Sequence, residues 1–314
     1  MKKLLLLALV LALGALIWSF TPQKLAVPEG SGPTLPALAA PVALRVGVLE
    51  TGAMQSNALF AYRGGGFEQR TFGMDVVVVE HPQGVLLFDA GFGRKVLEHE
   101  RTIPWLMRAT SKIVPAVPLV DQLASVGLAP DRLKGVVLTH AHWDHVGGLD
   151  DLRGVPVYVN AAERDFIEHG GDMTALVRSF GALNYQDYVF DGPAYAGFAA
   201  SHDVFGDGSV VLVPAGGHTP GSAIAFIRAP DHDYALIGDL AWQHEGVDLP
   251  AEKPWVSRWL VDNDAAKVRE NLIALHRLQV ANPQLTIVPA HDRRVSATLP
   301  RLPRAPLPTD VQSP

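Results

Sequence analysis

Cysteine is absent from the 314-residue chain, which excludes a disulfide framework, a thiolate metal ligand and a lipid-modified cysteine behind a leader. Any metal must therefore be held by histidine and carboxylate. Positive charge is in short supply: 26 Lys and Arg against 32 Asp and Glu give a formal net charge of −6. No global basic field exists to attract nucleic-acid phosphates, so nucleic acid is not the expected partner. Charged residues make up only 18% of the chain and apolar ones 48%, enough apolar surface for a large core and too little charge for a disordered chain. No tandem repeat is evident.

The chain opens with Lys2 and Lys3 and an uncharged apolar run from Leu4 to Trp18. Residues 1–20 therefore read as a secretory signal peptide or as a retained N-terminal membrane anchor. The first alternative implies an exported, periplasmic or secreted protein, and the second a protein held at the inner membrane by residues 4–18. Residues 21–41, with Pro22, Pro28, Pro33 and Pro36 among glycines, read as a linker. A folded domain is expected over 42–299, followed by a proline-rich tail over 300–314.

Within the domain, Leu44–Leu49, Met74–Glu80 and Val85–Asp89 read as strands, the last two forming a hairpin around Pro82-Gln83-Gly84. Leu119–Leu128 has helical spacing, Val155–Val159 is a short strand, and Ala161–His169 is helical. Val210–Val213, Ala223–Ile227, Tyr234–Ile237 and Leu285–Val288 are further strands, and Asp264 caps a helix whose face carries Val268, Leu272, Leu275 and Leu278. Residues 94–117 read either as a flap over a site or as ordinary surface. Two mixed sheets packed face to face with helices outside fit this order.

The stretch with the most chemistry is Thr139-His140-Ala141-His142-Trp143-Asp144-His145, delivered by the apolar run Gly135–Leu138. Three imidazoles and a carboxylate at a strand end point to metal ligation. Three more candidates also end apolar runs: His218 in His-Thr-Pro-Gly-Ser, Asp239 in Ile-Gly-Asp, and His291 in Pro-Ala-His-Asp. His140, His142, Asp144, His145, His218, Asp239 and His291 exceed the needs of one tetrahedral ion and suit two.

These residues, in this order, make the chain resemble the metallo-β-lactamase-fold hydrolase superfamily. The resemblance covers about Val42 to Leu299 and implies an αββα sandwich with a dinuclear centre between the sheet edges. By position His140, His142 and His218 would take one ion, Asp144, His145 and His291 the other, and Asp239 would bridge them. Asp89, in Phe-Asp-Ala-Gly, matches the position that orients a ligand histidine. Two divalent ions follow, zinc by default with Mn, Fe or Co admissible, together with a hydroxide that attacks a carbonyl while Asp144 passes a proton to the leaving group.

Within the superfamily the nearest resemblance is to N-acyl homoserine lactonases, through the helix after the metal loop, the segment Leu183-Asn184-Tyr185 and the single bridging aspartate. Those enzymes place a tyrosine three residues after that aspartate, where this chain has Trp242, whose indole N–H can still donate. The expected function is hydrolysis of a carboxyl ester or lactone in a small molecule. A glyoxalase-II-like thioesterase, a phosphodiesterase, a minor β-lactamase or a non-catalytic metal-binding relative are the alternatives. Trp143 and Trp242 read as cleft walls or as core, and Arg293 and Arg294 as an anion clamp or as solvated surface. His81, His99, His169, His202, His232, His244 and His276 match no ligand position and read as surface or loop histidines.

Overall fold

The computed structural model describes residues 1–302; the rest of the expected tail, 303–314, lies outside the described residues. In chain order the strands are β1 (Arg45–Asn57), β2 (Gln69–His81), β3 (Gly84–Phe88), β4 (Lys112–Pro115), β5 (Leu133–Val137), β6 (Pro156–Asn160), β7 (Asn184–Tyr188), β8 (His202–Asp203), β9 (Val210–Pro214), β10 (Ala223–Arg228), β11 (Asp233–Leu236) and β12 (Leu285–Val288). The α-helices are α1 (Lys2–Phe20), α2 (Val96–His99), α3 (Trp105–Thr110), α4 (Leu119–Ser125), α5 (Trp143–Val146), α6 (Ala161–His169), α7 (Ala175–Ser179), α8 (Glu245–Asp248), α9 (Trp255–Val261), α10 (Ala265–Ala281) and α11 (Arg293–Ser296).

The strands form a seven-stranded sheet, β4-β1-β2-β3-β5-β6-β7, and a five-stranded sheet, β12-β11-β10-β9-β8. Both are mixed: β3, β5, β6 and β7 run parallel, as do β11 and β12, and the other neighbours are antiparallel. Strand period explains why the run Val76–Val79 is apolar without interruption. Val77 and Val79 face the gap between the sheets with Leu86, Phe88, Leu212, Ile227 and Leu236. Val76 and Val78 face outward into a second core with Leu119, Leu123, Leu149 and Leu176 from the helical side. On the far side Val268, Leu272, Leu275 and Leu278 of α10 cover Ile224, Phe226, Ala235 and Ile287. The four layers are thus helix, sheet, sheet, helix, the expected αββα sandwich, and each fully buried Leu or Val contributes roughly 1.5–3 kcal/mol.

Two stretches depart from their sequence reading. Residues 21–41 are a strap packed on the domain, not a free linker. Leu25 and Leu35 join the core under α10, and the strap's backbone finds partners along its length: Arg277 Nη2 donates to Ser31 O at 2.8 Å, Asn282 Nδ2 to Pro33 O at 2.9 Å and Arg228 Nη1 to Pro36 O at 2.7 Å. Composition hid this because the partners are scattered side chains on β10, on α10 and at the residue that caps α10. At the other end, Pro300–Leu302 do not begin a loose tail: Pro300 O accepts from Val48 N at 3.0 Å, and Leu302 packs on the core.

Candidate metal centre

Every residue of interest lies just past the carboxyl end of a strand, and parallel strands bring those ends to one edge. Asp89 follows β3, the histidine loop follows β5, His218 follows β9, Asp239 follows β11 and His291 follows β12. Two backbone positions make the edge work. Asp89 adopts φ of 59° and Gly238 φ of 52°, left-handed values tolerated by Asp and favoured by Gly, and each turns the chain sharply at the edge.

Asp89 holds the histidine loop. Its Oδ1 accepts from Thr139 N at 2.7 Å, its Oδ2 from Thr139 Oγ1 at 2.8 Å, and His145 Nδ1 lies 2.8 Å from Oδ2. That leaves His145 Nε2 aimed inward, 3.3 Å from His291 Nε2 and 3.3 Å from Asp239 Oδ1. His291 Nδ1 is tied to Gly73 O at 2.8 Å, which turns its Nε2 toward Asp239 Oδ1 at 2.9 Å and Asp144 Oδ2 at 3.4 Å. Across the site His142 Nδ1 and His218 Nε2 are 2.9 Å apart, and Asp239 Oδ2 lies 3.4 Å from His218 and 4.0 Å from His140 Nε2. Asp239 therefore turns one oxygen to each histidine group.

All seven of the predicted ligands converge here. Ligand-type atoms of His140, His142 and His218 lie within 4.8 Å of one another, as do those of Asp144, His145 and His291, and those of His140, His145 and Asp239. His140 Nε2 and Asp239 Oδ1 are buried without a hydrogen-bond partner, a costly condition that a cation would relieve. Burial holds His140 and His142 well below the ordinary imidazole range, reinforced by the neighbouring histidines. Neutral imidazoles are what metal binding requires. Burial opposes charge on His145 too, but Asp89, Asp239 and Asp144 outweigh it and raise its pKa. Burial lifts the Asp144 carboxyl, whereas His291 and His145 hold Asp239 well below the carboxylate range despite its burial.

A cavity of about 500 Å³ opens beside the cluster, lined by Trp143, Trp242, Phe72, Met54, Met107 and Ile103 with Asp144, Asp239 and His291 at its floor. The two tryptophans are thus walls and core at once. Trp143 packs on Phe92 at 5.4 Å and Trp242 meets Phe72 edge-on at 6.0 Å. Ile103, Pro104 and Met107 come from the segment 94–117, which lines the cleft through α3 and the residues just before it, while its β4 extends the larger sheet at the edge beside β1. Two expectations need correction. The Trp242 indole N–H is not free for a substrate, since it donates to Asp239 Oδ2 at 2.7 Å. Arg293 and Arg294 are not an anion clamp: half-buried Arg293 pairs with Asp75 at 2.8 Å, and Arg294, exposed at the surface, pairs with Glu245 and Asp292 at 2.7 Å each. Asn184 and Tyr185 sit on the edge strand β7, away from the residues lining the cleft.

His81 and His99 are buried, contrary to their surface reading: His81 stacks on Phe205 at 3.7 Å beside Asp207, and His99 packs on Phe180 at 5.5 Å. Other residues escaped the sequence reading altogether. Glu163 is buried on α6. Its Oε1 accepts from Ala141 N at 2.6 Å and its Oε2 from Thr219 Oγ1 at 2.6 Å and Gly221 N at 3.1 Å, tying two ligand loops together. A Cβ on Gly221 would collide with the Glu163 backbone, so this approach needs glycine. Asp262 accepts from Lys253 Nζ at 2.9 Å and lies 2.7 Å from His218 Nδ1, while Lys253 also donates to Asp239 O at 2.7 Å. The only sequence signal for Glu163 was an acidic residue near a helix start, and Lys253 gave none.

Comparison with known proteins agrees with this geometry. A sequence model of the metallo-beta-lactamase superfamily matches residues 72–291. A probable metallo-hydrolase of Mycobacterium tuberculosis is 30% identical over 233 residues, 69% of this chain and 74% of that protein. An N-acyl homoserine lactonase of Rhizobium radiobacter is 27% identical over 130 residues, 38% of this chain and 44% of its own length. Among solved structures, an N-acyl homoserine lactone hydrolase with N-hexanoyl-L-homoserine at its catalytic metal centre superposes with a TM-score of 0.63 at 19% identity, covering 84% of this chain and 99% of that one. At that identity the likeness shows a shared fold.

Proposed function

The chain belongs to the metallo-β-lactamase superfamily, and from that premise we propose that it is a dinuclear hydrolase of carboxyl esters or lactones, with zinc as the default metal. The observation that carries this reading is the division of Asp239 between two groups of buried ligands, His140, His142 and His218 on one side and Asp144, His145 and His291 on the other. Two divalent cations held by these residues would supply Lewis acidity to acidify a water and polarise a carbonyl. An all-nitrogen-and-oxygen donor set of this kind suits zinc and admits Mn, Fe or Co.

The chain's own residues do the rest. Asp89 fixes the His145 ring by its Nδ1, Asp262 does the same for His218, and Trp242 orients the Asp239 carboxylate. Asp144 lies at the cavity floor, where one carboxylate oxygen would ligate an ion and the other could pass a proton to a leaving oxygen. Trp143, Phe72, Met54 and Met107 offer an apolar wall to an acyl group and exclude water from it. A substrate is therefore read as a small molecule with a carbonyl at the floor and an apolar portion along the wall.

Metal content of the purified protein, together with a panel of acyl homoserine lactones, simple lactones, aryl esters, thioesters, phosphodiesters and β-lactams, tests the proposal. Turnover of lactones or esters at a two-metal stoichiometry is expected. Activity confined to phosphodiesters, or no turnover at full metal loading, overturns it.

A further inference from the structure

We propose that the rim of the cleft built by α3 and α9 is a membrane-docking surface: with α1 retained as an anchor, the rim rests on an anionic phospholipid bilayer, and substrates with an apolar chain enter the cleft from that side. The entry route rests on the hydrolase reading above; the docking surface does not.

The argument begins with α1, a 19-residue helix of mean hydropathy 2.3. At 1.5 Å per residue it is about 28 Å long, close to the ~30 Å hydrocarbon core of a bilayer. Its apolar sides are bare, only Ser19 being buried. Its carboxyl end is clamped to the domain at α9. Ser19 Oγ accepts from Trp255 N at 2.6 Å, and Arg63 Nη2 donates to Trp18 O at 2.7 Å. The Arg63 guanidinium lies 4.4 Å over the Trp18 ring, and Phe20 meets Phe60 edge-on at 6.3 Å. Arg63 is itself buried and held by Glu252, 3.7 Å away, which also binds Arg258 of α9. A spanning helix tied in this way brings α9 to the membrane surface.

What α9 presents there suits that surface. Trp255 and Trp259, one turn apart, are 53% and 75% exposed, while Ser257 and Val261 on the opposite side are buried. Trp105 of α3 is 71% exposed. Arg108 and Lys112, just beyond it, are exposed and have no acidic side chain within 4.0 Å among the described residues. Exposed tryptophans beside unpaired cations match the chemistry of an anionic lipid interface. Leu106 and Met107 of α3 and Val256 and Leu260 of α9 line a small apolar pocket of about 30 Å³. That pocket shares Met54, Phe72, Met107 and Trp242 with the main cavity. The rim that would meet lipid thus adjoins, through shared apolar side chains, the cavity that holds the metal ligands.

The absence of native cysteine permits single spin labels on the full chain. Trp105→Cys and Trp259→Cys probe the rim, and Gln83→Cys probes the turn at the start of β3, the end of that strand remote from Asp89. The labelled chain is reconstituted in phosphatidylcholine–phosphatidylglycerol vesicles and its collisions with oxygen and a water-soluble nickel chelate are measured. Labels at 105 and 259 should favour oxygen and be shielded from nickel, with the reverse at 83. Nickel access at 105 and 259 equal to that at 83 overturns the docking surface. Shielding there from both reagents also overturns it, pointing to a protein partner or a second copy. For the entry route, Trp105→Ser/Trp259→Ser should lose turnover of a vesicle-borne dodecanoyl ester or lactone and keep that of its butanoyl analogue. Equal turnover of both chain lengths in variant and wild type overturns the route. Absence of all hydrolysis in wild type overturns the hydrolase reading and leaves the label result standing.

Discussion

Trp242 donates its indole N–H to Asp239 Oδ2 at 2.7 Å, three residues along the same turn. The position that could have offered a donor to a substrate is instead committed to the carboxylate shared between the two ligand groups. Trp242→Phe keeps the aromatic wall against Phe72 and removes only that bond. Loss of an outer partner of a metal ligand costs about 10–100-fold in metal affinity or activity. Chelator competition and kcat on the same preparation should both fall; unchanged metal retention would show that the bond orients nothing.

His142→Ala should abolish metal-dependent hydrolysis and lower the bound metal of the purified protein, because His142 Nδ1 and His218 Nε2, 2.9 Å apart, face a common point. Elemental analysis checks the second half independently of any substrate. Full activity in the metal-depleted variant would sink the mechanism.

Glu163 accepts hydrogen bonds from Ala141 N, Thr219 Oγ1 and Gly221 N, although burial pushes its carboxyl up to about 7. An amide at this position turns an NH₂ toward at least one of those donors. Glu163→Gln should therefore destabilise the fold by about 1–3 kcal/mol, the cost of an unsatisfied buried group. Glu163→Asp, which keeps the charge but shortens the reach, should retain metal at reduced turnover. Urea unfolding of the two variants beside the wild type distinguishes the effects.

Lys253 is buried and binds Asp262, whose other neighbour is His218. Lys253→Met strands a buried carboxylate and should cost about 3–5 kcal/mol. The double variant Lys253→Met/Asp262→Asn removes the stranded charge and should recover part of that loss in thermal unfolding. If the double variant is no more stable than the single one, the pairing is not what the lysine supplies.

Burial pushes the Asp75 carboxyl from its ordinary 3.8 up to about 6, against the pull of Arg293. Between those values the native chain binds a proton that the unfolded chain does not, so stability falls as pH rises through this window. The contribution is fully present below 3.8 and lost above about 6. It amounts to about 3 kcal/mol at most. Asp75→Asn should flatten this part of the stability curve, measured by urea unfolding from about pH 4 to about pH 7. A wild-type-minus-variant difference in stability that does not fall through the window would contradict the assignment.

The ligand set was legible because each ligand ends an apolar run, and strand ends meet at one edge of a sheet. Ala161–His169 and Leu285–Val288 were read with the bounds the structure gives them. What supports the ligands was not legible. Glu163, Lys253 and Asp262 act across long sequence separations and stand in no periodic pattern, so only their meeting in space reveals them. Strands β4, β7 and β8 were missed for a related reason: each is short and lies at a sheet edge, with no continuous apolar run to mark it. Trp242 is an intermediate case, since its proximity to Asp239 could be read but the direction of its N–H could not.

The strap over residues 21–41 leads from Phe20, beside α9, to β1, whose first residue Arg45 pairs with Glu80 near the opposite end of the sandwich. As a free coil, a tether of roughly twenty residues would let its ends wander some 25 Å apart in any direction. Pinned along α10, it has no slack. If α1 anchors the chain as proposed, the clamp at α9 and the strap together would fix which face the domain offers, because neither leaves it free to tumble on a slack tether.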